Sequence, residues 1–133
     1  MDSKSPPWNR FHHVALIAGD YGASKRFYAE TLGLRVVAET YRLERDSWKL
    51  DLELPGGDRL ELFSFPWAPP RPDRPEARGL RHLAFEVEDV AATVAWLRSR
   101  GVESEPIRVD PLTGRDFTFF FDPDGLPLEL YQA

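Results

Sequence analysis

Leu126-Pro127-Leu128-Glu129-Leu130-Tyr131 and an earlier copy, Arg59-Leu60-Glu61-Leu62-Phe63-Ser64, carry one pattern: a turn, then Leu-Glu-Leu-aromatic. Gly56-Gly57-Asp58 precedes the first copy and Asp122-Pro123-Asp124-Gly125 the second. A glutamate between two leucines in a short apolar strand is costly to bury unless something pairs with its charge. Two such glutamates at matched places predict a cation that both approach.

Working outward, the flanking chain repeats as well. Phe11 to Ala18 reads as a strand, with Asp20 or Ser24 as N-cap of a helix over 23–32 that stops at Gly33. Leu34 to Tyr41, Trp48 to Leu54 and Leu60 to Phe65 read as three further strands; the second of them alternates apolar and polar residues. After a stretch holding Pro66, Pro69, Pro70, Pro72 and Pro75, the order returns. Leu80 to Val87 is a strand, and Asp89 caps a helix over 90–100 that ends at Gly101. Strands over 102–108, 115–121 and 126–131 follow. Glu61 and Glu129 stand 68 residues apart, Gly33 and Gly101 also 68, and His13 and His82 69. The reading is therefore α+β: two βαβββ repeats forming a curved mixed sheet around a metal-binding cleft. Its parts are a flexible tail over 1–9, a first module over 10–65, a Pro-rich linker over 66–78 and a second module over 79–133.

Side chains alternate across a strand. His13, Ala15 and Ile17 share one face of the first strand, and His82, Ala84 and Glu86 one face of the fifth. Glu61 and Glu129 likewise oppose their flanking leucines. If the halves pack symmetrically, His13, Glu61, His82 and Glu129 line a shared cleft. Two imidazoles and two carboxylates then make a site for a divalent ion. His12 falls on the apolar parity and reads as a structural histidine. Arg45, Lys49, Arg81, Arg108 and Arg115 read as solvated residues, and they are also the candidates to meet an anionic substrate. Trp48, Phe63, Phe65 and Tyr131 read as core or cleft wall.

Composition sets outer bounds. The 133 residues suit one domain or two small halves sharing a core. Seventeen basic against 22 acidic residues give a net charge of −5, which argues against a nucleic-acid partner. The absence of cysteine removes thiolate metal sites and cysteine nucleophiles. No apolar run reaches ~18 residues, so no membrane span is expected. Met1-Asp2-Ser3-Lys4-Ser5-Pro6-Pro7 lacks the apolar core of a signal peptide, and the default expectation is cytoplasmic.

Four segments together resemble the vicinal oxygen chelate superfamily, and within it the small glyoxalase I-like proteins of the glyoxalase/bleomycin resistance/dioxygenase group. They are His12-His13-Val14-Ala15-Leu16, Leu60-Glu61-Leu62, Gly79-Leu80-Arg81-His82-Leu83-Ala84-Phe85, and the run from Phe119 to Leu130. The resemblance covers roughly residues 10 to 132. It implies that His13, Glu61, His82 and Glu129 bind a divalent metal, with Ni, Co or Zn ahead of Mn or Fe. It further implies a lyase or isomerase of lactoylglutathione lyase type, working on a small α-hydroxycarbonyl or thiol adduct through an enediolate. Glu129 or Glu61 would be the catalytic base. The short bacterial glyoxalase I enzymes hold glutathione with an Arg four residues after the first ligand His and an Asn four after the first ligand Glu. Ile17 and Phe65 stand at those positions, which implies a different substrate with a more apolar tail against Ile17, Phe63 and Phe65. The alternatives within the resemblance are an iron-dependent extradiol dioxygenase, a thiol transferase of antibiotic-resistance type, and a metal-free small-molecule-binding protein. A homodimer is the expected state, with the site formed inside one chain or across two.

Overall fold

The computed structural model describes residues 6–73 and 75–133, so part of the expected tail and Arg74 of the linker lie outside the described residues. Each repeat forms its own four-stranded mixed sheet. The first holds β1 (Val14–Ala18), β2 (Arg35–Arg42), β3 (Ser47–Glu53) and β4 (Arg59–Ser64), in the order β1-β4-β3-β2. The second holds β5 (Leu83–Val87), β6 (Arg108–Val109), β7 (Asp116–Phe121) and β8 (Pro127–Gln132), in the order β5-β8-β7-β6. β1 runs parallel to β4 and β5 parallel to β8, while the other neighbours are antiparallel. The α+β expectation holds, with the mixed sheet realised as two sheets, one per repeat. β1 and β5 each lie at a sheet edge.

The helices begin where the sequence places their caps. α1 (Tyr21–Lys25) has Asp20 as N-cap, its carboxylate accepting from the Ala23 amide at 3.0 Å. α2 (Val90–Ser99) has Asp89 in the same role toward Ala92, also at 3.0 Å. Such a cap satisfies one of the amides that open a helix with no partner. Gly33 and Gly101, at φ 76° and 81°, take the left-handed conformation that ends each helix cheaply. Unlike α2, α1 widens into a π-helical turn, Arg26–Thr31, closed by the Leu32 amide on the Phe27 carbonyl at 2.8 Å.

Three strands are shorter than the sequence predicts. β1 starts at Val14 and β5 at Leu83, so His13 and His82 each sit one residue before their strand. The strand expected over 102–108 is reduced to Arg108–Val109. Glu105 and Pro106 there give their carbonyls to the Thr118 hydroxyl.

Leucine alternation fixes which face is buried. Leu16 and Ala18 of β1, Leu50 and Leu52 of β3, Leu60 and Leu62 of β4, and Leu128 and Leu130 of β8 point into the core. Tyr28, Val90, Val94 and Leu97 from the helices meet them there. The turn at Asp122–Gly125 ties the two repeats together. Asp122 accepts from the Tyr28 hydroxyl at 2.8 Å, Asp124 from the Gly19 amide at 3.0 Å, and Phe27 packs on Phe120. The opposite face of each sheet carries the polar residues of interest.

Candidate metal centre

The β1–β4 ladder pairs Ala15 with Glu61, and His13, one residue ahead of β1, lies beside that pair. The result is a short approach, His13 Nε2 to Glu61 Oε1, of 3.6 Å. The β5–β8 ladder pairs Ala84 with Glu129 by the same rule, and His82 Nε2 stands 3.4 Å from Glu129 Oε1. Parallel register thus delivers one imidazole and one carboxylate per repeat. Both carboxylates are mostly covered, at 15% and 13% side-chain exposure, so each is partly desolvated beside an imidazole.

The rings are supported differently. His13 Nδ1 lies 2.9 Å from His12 Nδ1, one of the pair donating to the other. With the proton on His13 Nδ1, its Nε2 lone pair is free for a metal. His12 is exposed, not a core residue as its parity suggests, because β1 begins at Val14 and alternation does not extend back to it. His82 stands edge-on to Phe119, the cross-strand partner of Glu129, with ring centroids 5.2 Å apart. Its Nδ1 is buried and has no partner among the described residues.

The carboxylates also differ. Asp51 is the cross-strand partner of Glu61, and Lys49 Nζ reaches both, at 3.5 Å from Asp51 and 3.8 Å from Glu61. Glu129 faces Phe119 instead and has no Lys or Arg within 4 Å among the described residues.

Two nitrogen and two oxygen donors suit a divalent ion of borderline softness. The donor set fits. Its grouping within one chain does not complete it: among the described residues, no three His, Asp or Glu side chains come close enough to hold an ion. His13 is brought to Glu61 and His82 to Glu129, and the two pairs are not brought to each other.

Residues 10–130 match the profile of the Glyoxalase/Bleomycin resistance protein/Dioxygenase superfamily. The chain belongs to that superfamily. Its relatives include the Escherichia coli (strain K12) protein "Uncharacterized protein YaeR", 61% identical over 121 residues, 91% of this chain and 94% of the relative. A crystal structure of a glyoxalase family protein from Enterococcus faecalis superposes with a TM-score of 0.88 at 51% identity, over 94% of this chain and 98% of that one. A "Probable lactoylglutathione lyase" from Vibrio cholerae is 30% identical, over 93% of this chain and 91% of its own length. Membership covers nearly the whole chain, so the superfamily fold accounts for both repeats.

Two features of the site escape the sequence. Lys49 is legible as a basic residue, but its contact with Glu61 depends on the β3–β4 register. Phe119 looks like one member of an aromatic run until β7 sets it opposite Glu129.

Proposed function

We propose that the protein is a metal-dependent isomerase or lyase of glyoxalase I type, acting as a homodimer whose sites combine one pair from each chain. The observation that carries this reading is the pair of His–Glu half-sites, built by the same parallel register and each holding half of a four-donor set. A twofold axis that sets the His13–Glu61 pair of one copy against the His82–Glu129 pair of the other completes two sites at once. Closing both pairs within one chain would require releasing the Tyr28–Asp122 and Gly19–Asp124 bonds that dock the repeats. Exposed Phe11, Ile17, Trp67 and Leu80 supply apolar surface for a second copy to cover.

His13, Glu61, His82 and Glu129 would hold the ion. When bound, such an ion supplies Lewis acidity to two adjacent oxygens of the substrate and so acidifies the C–H beside them. Glu129 is the base in this reading: it takes the proton from that carbon and returns it to the neighbouring one. Its surroundings favour this role, since no lysine or arginine among the described residues holds the carboxylate and an apolar ring, Phe119, is its cross-strand partner. Glu61, held by Lys49, stays as a fixed ligand. His12 orients the His13 ring through Nδ1. The affinity order of such donors favours Ni, Co or Zn over Mn.

Metal analysis tests the reading. Protein purified without chelator or affinity tag should carry about one divalent ion per chain. The double variant His13→Ala/His82→Ala should carry none. Full occupancy in that variant would overturn the assignment.

A further inference from the structure

Arg42 ends β2 opposite Ser47. Cross-strand partners share a face, as do alternate residues along a strand. The chain of pairs Arg42–Ser47 and Lys49–Phe63 therefore puts Arg42 on the same sheet face as Lys49, Phe63 and Glu61. Its guanidinium carbon lies 4.8 Å from the centroid of the Phe63 ring and 5.8 Å from that of Phe65. Those rings stack on each other 5.9 Å apart, at 9°. Arg42 Nη2 donates one long bond, 3.3 Å, to the Ser47 hydroxyl, and Nε is buried without any partner among the described residues.

The neighbouring cations of this sheet are engaged. Lys49 meets Asp51 and Glu61, and Arg35 and Arg59 both meet Glu53. Arg42 has no carboxylate within 4 Å among the described residues. A stacked guanidinium is held flat and pre-oriented, so it loses little freedom on meeting a planar or tetrahedral oxyanion through its forked N–H groups. Phe63 follows Glu61 by two residues, which sets the aromatic shelf about 7 Å along the strand from the candidate ligand. The apolar tail expected against Phe63 and Phe65 does not suit this wall, because Arg42 covers both rings.

We infer that Arg42, stacked on Phe63 and Phe65, is a specificity-determining residue that binds a substrate oxyanion, a carboxylate or a phosphate, beside the His13–Glu61 pair. The inference rests on the metal-centre reading for the other end of the substrate, which carries adjacent oxygens.

Calorimetry on metal-free and zinc-loaded protein tests it with three probes: 2-oxoglutarate, dihydroxyacetone phosphate and uncharged dihydroxyacetone. Wild type should bind at least one of the anions about tenfold or more tighter than dihydroxyacetone, as charge-assisted bonds to a fork require. Which anion leads tells carboxylate from phosphate. Arg42→Gln should remove the preference and leave metal content and dihydroxyacetone affinity unchanged. Arg42→Lys should keep only part of it, and it serves as the second variant if Arg42→Gln does not fold. Lys49→Gln should keep the preference. No preference in wild type, or a preference that survives Arg42→Gln, overturns the inference. An Arg42-dependent preference in protein that takes up no zinc upholds the inference and refutes the metal reading. Zinc uptake without the preference does the reverse.

Discussion

Glu61 and Glu129 occupy the same place in their repeats, yet one faces Lys49 and Asp51 and the other Phe119. That difference predicts unequal roles. Glu129→Gln should keep the fold, because an amide is nearly the same shape. It should lower turnover of the best substrate in a panel of α-hydroxycarbonyl compounds and thiol adducts by about 10²-fold or more. Glu61→Gln should weaken metal retention more than it slows the chemical step. Wild-type turnover by Glu129→Gln would show that the base lies elsewhere. The four candidate ligands are legible in the sequence because the repeat places each histidine and glutamate at spacings that agree to within one residue. Arg42 is not legible: its stack on Phe63 and Phe65 joins residues from two strands, and only the register of β2, β3 and β4 makes them neighbours. His12 misleads because strand alternation holds only from Val14 onward, where β1 begins.

At the scale of elements, the π-helical turn after α1 is the main departure from the repeat. It seats Tyr28 in the core with its hydroxyl on Asp122. Burial pushes the Asp122 carboxyl above the usual carboxylate range, although the Tyr28 hydroxyl and the Leu126 and Asp124 amides pull it down. The same burial pushes the Tyr28 hydroxyl far above its ordinary range. A carboxyl raised in the folded state favours the protonated form there. Its contribution is thus fully present below the unfolded value of about 3.9 and is lost as pH rises through the folded value. Asp122→Asn keeps an acceptor for both amides and removes the titration. The melting temperature of wild type relative to Asp122→Asn should therefore fall as pH is raised from about 4 toward neutral. A difference that does not change with pH would contradict the burial account. Caps and glycine stops are legible because they are local: Asp20, Asp89, Gly33 and Gly101 act through their own or adjacent turns. The stretch before β6 is not: Glu105 reaches β7 through its amide on the Phe119 carbonyl and its carbonyl under the Thr118 hydroxyl, and Pro106 has no amide to continue a ladder.

For the whole molecule, the sequence yields two repeats and the superfamily, while the arrangement of the repeats comes only from long-range contacts. The Asp122–Gly125 turn docks against α1 and its flanks, and in that arrangement the two half-sites do not meet within one chain among the described residues. A second copy would join them, and complementation tests this directly. His13→Ala breaks only the first half-site and His82→Ala only the second, so neither variant alone should retain metal. Unfolded together and refolded as a mixture, half of the dimers would pair one variant with the other, and each of those holds one intact site. The mixture should then bind about a quarter of the wild-type metal. A mixture that binds no more metal than the two variants refolded separately would contradict a site shared between chains.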